Sequence, residues 1–142
     1  MTVQPAPGDR MKLAQAVERY VGASFRPHGR DPATGFDCLG LVLVAMADIG
    51  RPIRFPLRYA LRNRDLGRFE RLPAKAGFAE VEVPLEPGDV LLLETGPAQL
   101  HFAIIASEGG AIHAHAGLRR VVQTPFPLPW PIVRQWRLVA AD

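Results

Sequence analysis

Residues 35–50 read GFDCLGLVLVAMADIG, and the reading of this stretch decides the fold. From Asp37 or Cys38 to about Ile49 the chain is apolar almost all round, and Gly50 and Pro52 stop it. A run this long and this apolar predicts a buried central helix rather than a strand. Its longest apolar part, Leu39 to Ala47, contains Gly40 and is too short to cross a bilayer. The only cysteine of the chain, Cys38, falls in the first turn of this helix, which excludes an internal disulfide and a four-cysteine zinc site. A lone cysteine is most often a small buried hydrophobe. At a helix start, however, backbone N–H groups lack intrahelical partners and the dipole is positive, so the position predicts a thiol of lowered pKa.

Upstream, residues 1–8 carry two prolines and a glycine and read as a loose arm. Asp9 is placed to cap a helix running to about Val21, with Leu13, Ala16, Val17, Tyr20 and Val21 at helical spacing and Gly22 ending it. Residues 22–36 read as a loop because of Pro27, Gly29, Pro32 and Gly35. Downstream, residues 51–78 are rich in arginine and predict a helix near 57–70. The pattern then changes to short apolar or alternating runs, giving candidate strands at 79–83, 89–94, 99–106, 110–115, 118–123 and 133–139. Residues 125–131, PFPLPWP, read as an extended surface strap. Helices first and strands afterwards predict an α+β fold, a single domain with helices packed on one face of a mostly antiparallel sheet.

The chain of 142 residues is enough for one hydrophobic core. Its net charge of +3 is mildly basic, with Arg51, Arg54, Arg58, Arg62, Arg64, Arg68 and Arg71 concentrated in one stretch. Few aromatics interleave these arginines and no nucleic-acid motif is present, so a solvated face is the better reading and nucleic acid is not expected as a partner. The N-terminus MTVQPAPGDR lacks the basic start and apolar run of a secretory signal. The expectation is synthesis in the cytoplasm, with incorporation into a larger particle as one route outward.

A thiol nucleophile needs a base within reach. The chain offers His28, His101, His113 and His115. His28 lies in a loop and reads as exposed. His101 lies in one candidate strand, and His113 and His115 share a face of the next, across the Gly109-Gly110 turn. A hairpin there sets His101 near His113 or His115. A helix start laid against it brings the thiol to an imidazole, with a second polar group fixing the ring. The same residues admit other readings. Cys38 and single strand histidines are each more often structural, and Cys38 with His113, His115 and a third histidine is also a credible zinc ligand set.

At these residues the chain resembles the NlpC-type family of cell-wall cysteine peptidases, compact relatives of papain. GFDCLGLV (35–42) resembles the nucleophile motif, PGDVLLL (87–93) the strand before the histidine motif, HFAIIA (101–106) the general-base motif, and AIHAH (111–115) the segment supplying the third polar residue. The resemblance implies a cysteine peptidase with Cys38 as nucleophile, His101 as base and His113, twelve residues on, as orienter in preference to His115. No cofactor or metal is implied. Asp37 matches a position that binds a substrate amine in some relatives, although a helix-capping role is the simpler one. His115 is extra to the pattern and is placed to substitute for His113 or line the substrate cleft. The chain departs from the family's habit in two places. Leu39 stands where serine is usual, and Phe25 matches the position of a tyrosine that helps form the oxyanion site in many relatives, leaving that task to backbone N–H groups. The D-C-L-G-L variant and the short length look most like the phage-tail and gene-transfer-agent branch. That branch implies a substrate in murein stem peptides and tail proteins as partners. Two further classes stay open: a structural tail component that has lost catalysis, and a thiol amidase or acyltransferase acting elsewhere.

Overall fold

The computed structural model describes residues 8–27, 29–31, 33–53, 77–97 and 99–139. Helix α1 spans Asp9–Glu18 and α2 spans Cys38–Asp48, with two short strands, β1 (Arg30–Asp31) and β2 (Gly35–Phe36), between them. The remaining strands are β3 (Phe78–Glu80), β4 (Val90–Gly96), β5 (Gln99–Ile105), β6 (Ala111–His115), β7 (Arg120–Thr124) and β8 (Ile132–Leu138). These six form one antiparallel sheet in the order β3-β8-β4-β5-β6-β7. The expected α+β arrangement is what is found. Three local expectations need correction. Asp9 does not cap α1; the N-cap is Gly8, and Asp9 sits inside the first turn, paired with Arg51 at 3.1 Å. Regular helix ends at Glu18, and residues 19–22 continue as turns rather than reaching Val21 as helix. The 22–36 loop is not wholly irregular, because β1 and β2 pair antiparallel and Phe25 bridges Phe36. The predicted helix near 57–70 and His28 lie outside the described residues.

Why α2 is apolar all round is clear from its neighbours. It lies against α1, the β1–β2 pair and the sheet strands β5 and β6, so only its last turn, at Ala47 and Asp48, is exposed. Leu39, Leu41, Ala45 and Met46 are at most 1% exposed, and each large side chain buried in this way contributes roughly 1.5–3 kcal/mol. Gly40 has a specific reason. A Cβ there would meet the Gly29 carbonyl oxygen at 1.8 Å, and that same oxygen accepts the N–H of Asp37 at 3.3 Å. The loop crosses the helix start at backbone contact, and only glycine leaves room for it.

The sheet has two apolar faces. Leu92, Phe102, Ile104, Ile112, Ala114 and Trp136 pack towards the helices. Leu91, Leu93, Ala103, Ile105 and Ala111 pack on the far face beneath Leu128 and Trp130 of the proline-rich strap. The turn before β4 is locked by Asp89, which is fully buried. Its carboxylate accepts from Arg137 Nε at 2.9 Å and Nη2 at 2.8 Å, from Gln135 at 2.9 Å and from the Glu86 N–H at 2.9 Å. Gly88 and Asp89 in turn exchange backbone hydrogen bonds with Ile105 at 2.9 Å, which pins the end of β5. A two-point arginine–carboxylate pair with its other lone pairs filled is the condition under which a buried charge is tolerated.

Candidate active site

Strands β5 and β6 part company where the chemistry lies. They pair through Ile105↔Ala111 and Ile104↔Ile112, and the described ladder stops there. Ile105 directs its N–H and C=O towards Asp89 and Gly88 on the β4 side. Strand alternation therefore turns the N–H groups of Ile104 and Phe102 towards β6. At Phe102 that partner strand has diverged, and the Cys38 sulfur accepts the N–H instead. The thiol enters the split from the helix side, at the tip of α2, as a surrogate for a strand carbonyl.

The start of α2 is built to present it. Asp37 is the N-cap, 1% exposed, and its Oδ1 accepts the Gly40 N–H at 2.7 Å. Its backbone carbonyl accepts from Leu41 at 3.0 Å. The N–H groups of Cys38 and Leu39 are turned to the sulfur. With Phe102 they give three backbone donors around one atom. The lowered thiol pKa expected from the helix start is nevertheless not what the site produces. Cys38 is 1% exposed, and loss of water pushes its pKa up to about 12, with the Asp37 charge adding to the rise and the three N–H donors opposing it. Desolvation outweighs the helix terminus here because the donors only partly replace a full hydration shell.

The imidazoles approach from the other face. His101 shares the side of Ala103 and Ile105, and His113 and His115 share the side of Ala111. His101 Nε2 and His113 Nδ1 are 2.7 Å apart, with the rings edge-on at a centroid distance of 4.8 Å. Opposite-pair register would have set His101 against His115, but the splayed strands let it reach His113 diagonally. His113, 1% exposed, continues through Nε2 to the Thr124 hydroxyl at 2.8 Å. His115 takes no part in this chain; its Nδ1 accepts the Leu118 N–H at 3.0 Å, which places its own hydrogen on Nε2. Trp130 stands edge-on to His113 at a centroid distance of 5.3 Å. Burial lowers His101 to about 3, helped by the neighbouring histidines, and lowers His113 to about 4, helped by His115. At neutral pH both rings are uncharged.

A cavity of about 240 Å³ opens beside the rings, lined by Thr95, Gln99, His101, His113, His115 and Trp130 among others. Cys38 is not on its wall. Sulfur and imidazole are thus presented by neighbouring points of one strand: the thiol on the Phe102 N–H, the ring on His101. Phe25 packs on the helix-side core cluster that also holds Cys38, with its N–H bonded to the Arg119 carbonyl at 3.0 Å. No cluster of three or more potential ligands suited to a metal ion occurs among the described residues.

No protein-family model matches the chain, and no curated protein matches it. Solved structures do. NlpC2 from Trichomonas vaginalis superposes with a TM-score of 0.70 at 20% identity, covering 98% of this chain and 49% of that one. The fold is that of an NlpC/P60 domain. The NlpC/p60 domain of the peptidoglycan hydrolase SagA gives a TM-score of 0.63 at 21% identity, covering 91% of this chain and 98% of that domain. The peptidoglycan hydrolase RipB from Mycobacterium tuberculosis gives 0.59 at 19% identity over 99% of this chain and 75% of that one. This chain spans about half the length of the Trichomonas structures it matches. Two elements of this candidate site escaped the sequence reading. The N–H of Phe102 as a thiol partner has no side-chain signature at all. Thr124 had one: it lies opposite Ala111 in the β6–β7 register, hence on the face of His113 and one diagonal step away.

Proposed function

We propose that the protein is a cysteine peptidase that hydrolyses amide bonds in murein stem peptides, with Cys38 as nucleophile, His101 as general base and His113 as the residue that orients it. The observation that carries this reading is adjacency along β5: the Cys38 sulfur is turned to the Phe102 N–H, and the next residue back, His101, is tied through Nε2 to His113; transfer of the thiol proton to His101 Nδ1 is part of the proposal. Because thiol and ring are both neutral at rest, the proton moves as attack proceeds. Sulfur bonds to the substrate carbonyl carbon, its proton passes to His101, and the oxyanion is met by N–H groups at the start of α2. Collapse breaks the C–N bond, the amine leaves with the proton from His101, and water attacks the thioester to regenerate the thiol and release the acid. Fold neighbours named as peptidoglycan hydrolases support murein as the substrate class. The finer assignment is an endopeptidase carried on a phage-tail or gene-transfer-agent particle, with tail proteins as partners; the D-C-L-G-L motif supports it. Asp37, Phe25 and His115 are assigned to the substrate side of the site, Asp37 through its hold on the helix start.

Digestion of purified sacculi, with products identified by mass spectrometry, tests the reading. Release of free stem peptides by the wild type and none by a folded Cys38→Ala variant is expected; equal release by both refutes the nucleophile. One observation favours a second reading. Cys38 is 1% exposed and absent from the cavity wall, as suits a tail component that keeps the fold without turnover. Intact sacculi after incubation with wild-type protein would select that reading.

A further inference from the structure

We propose that Thr124 is a positioning residue that sets where the protons sit on the His101–His113 pair. The inference rests on His101 acting as the base. The two hydrogen bonds run in series, from His101 Nε2 to His113 Nδ1 at 2.7 Å and from His113 Nε2 to Thr124 Oγ1 at 2.8 Å. Each neutral imidazole carries one N–H, so the series has only two consistent arrangements. In one, His101 donates from Nε2 to His113, and His113 donates from Nε2 to the threonine oxygen; His101 Nδ1 is then a bare lone pair. In the other, the hydroxyl donates to His113, His113 donates from Nδ1 to His101, and His101 Nδ1 carries a hydrogen. The first arrangement is a base towards a thiol; the second has nowhere to put the thiol proton.

Thr124 is the acceptor that makes the first arrangement satisfiable. His113 is 1% exposed, so an unpaired Nε2–H would be a buried donor, which is disfavoured. The hydroxyl is positioned independently of this role, because the backbone of Thr124 is held in the β6–β7 ladder opposite Ala111. The first arrangement also survives the reaction. When His101 takes the thiol proton on Nδ1 it keeps its Nε2–H on His113, and no other hydrogen in the series has to move. A hydroxyl, which both donates and accepts, imposes no barrier if the series reverses between turnovers.

The test compares wild type, Thr124→Val and Thr124→Ser by ¹⁵N NMR of the imidazole nitrogens at pH 7, alongside hydrolysis of murein peptides. Valine keeps the shape and removes the acceptor. The expected result is Nε2–H on both rings in wild type and in the serine variant, and a mixed or Nδ1–H state of His113 in the valine variant. With it, kcat falls about tenfold, the worth of one hydrogen bond, at unchanged KM, and serine restores it. Unchanged ring tautomers in the valine variant overturn the proposal. If no protein in the series hydrolyses murein peptides, the peptidase reading fails, while the nitrogen spectra still decide the role of Thr124.

Discussion

Alkylation of Cys38 by iodoacetamide is expected to be slower than that of an ordinary thiol, and its rate should keep climbing past pH 9. With a pKa of about 12, the thiolate at pH 7.5 amounts to about 3 parts in 100,000, against about one part in ten for a free cysteine of pKa about 8.5. That difference alone slows the reaction roughly 3,000-fold. A more basic thiolate is intrinsically more nucleophilic, and a Brønsted slope of about 0.4–0.5 over about 3.5 pKa units returns a factor of roughly 25–55. The net expectation is about 100-fold slower reaction than free cysteine, and the 1% exposure of the residue slows it further. The measurement is the pseudo-first-order rate by intact mass from pH 6 to 10, with a urea-unfolded control to set the intrinsic rate. The reasoning is refuted by a plateau below pH 8, or by a rate above that of the unfolded chain. Either would mean that the three N–H donors at the helix tip overcome desolvation and hold a standing thiolate.

Other outcomes follow from the same geometry. In the folded chain His101 lies at about 3 and His113 at about 4, against about 6.5 when unfolded. The unfolded state therefore binds more protons between these values, so stability is full above about pH 6.5 and falls as the pH drops towards 3. A thermal midpoint that stays flat between pH 7 and 4 would contradict this. Hydrolysis should likewise persist into mildly acidic buffer and fail only as His101 becomes protonated, read from the acidic limb of kcat/KM. Gly40→Ala drives a methyl into the Gly29 carbonyl and should cost about 2–4 kcal/mol by overpacking against backbone; a urea midpoint equal to wild type would show that the loop simply moves aside. Asp89→Asn removes the buried partner of Arg137, which keeps Glu86 at 2.8 Å, and should cost about 1–3 kcal/mol, with a urea midpoint equal to wild type as the contrary result.

Much of the fold was legible because its signals are local. The apolar run from Leu39 announced a buried helix, and α2 begins at Cys38 as expected. The six strands after residue 77 fall close to their predicted places because turn glycines punctuate them. The first of these strands is the exception, expected at 79–83 and observed at Phe78–Glu80, with Val81 adding one further backbone bond to Gln135 of β8 before the pairing stops. From strand spacing the pairing of His101 was legible only as a choice between His113 and His115, because hairpin register cannot reveal that two strands separate; the family resemblance favoured His113, the residue found beside it. The thiol pKa was misread for a different reason. A helix start is visible in sequence, whereas the depth of burial that opposes it depends on chain far away.

The parting of β5 from β6 also divides responsibility for the site. His101 belongs to the ladder anchored by Asp89 and Cys38 to the start of α2, whereas His113 and Thr124 ride on the β6–β7 hairpin, fastened on its outer edge by Gly22, Ala23 and Phe25. The same outer loop also bonds Phe36 through Ser24 and Arg26, two residues before Cys38, so a change there reaches the His113–Thr124 side and the helix start together. One short loop thus fastens both halves of the candidate site.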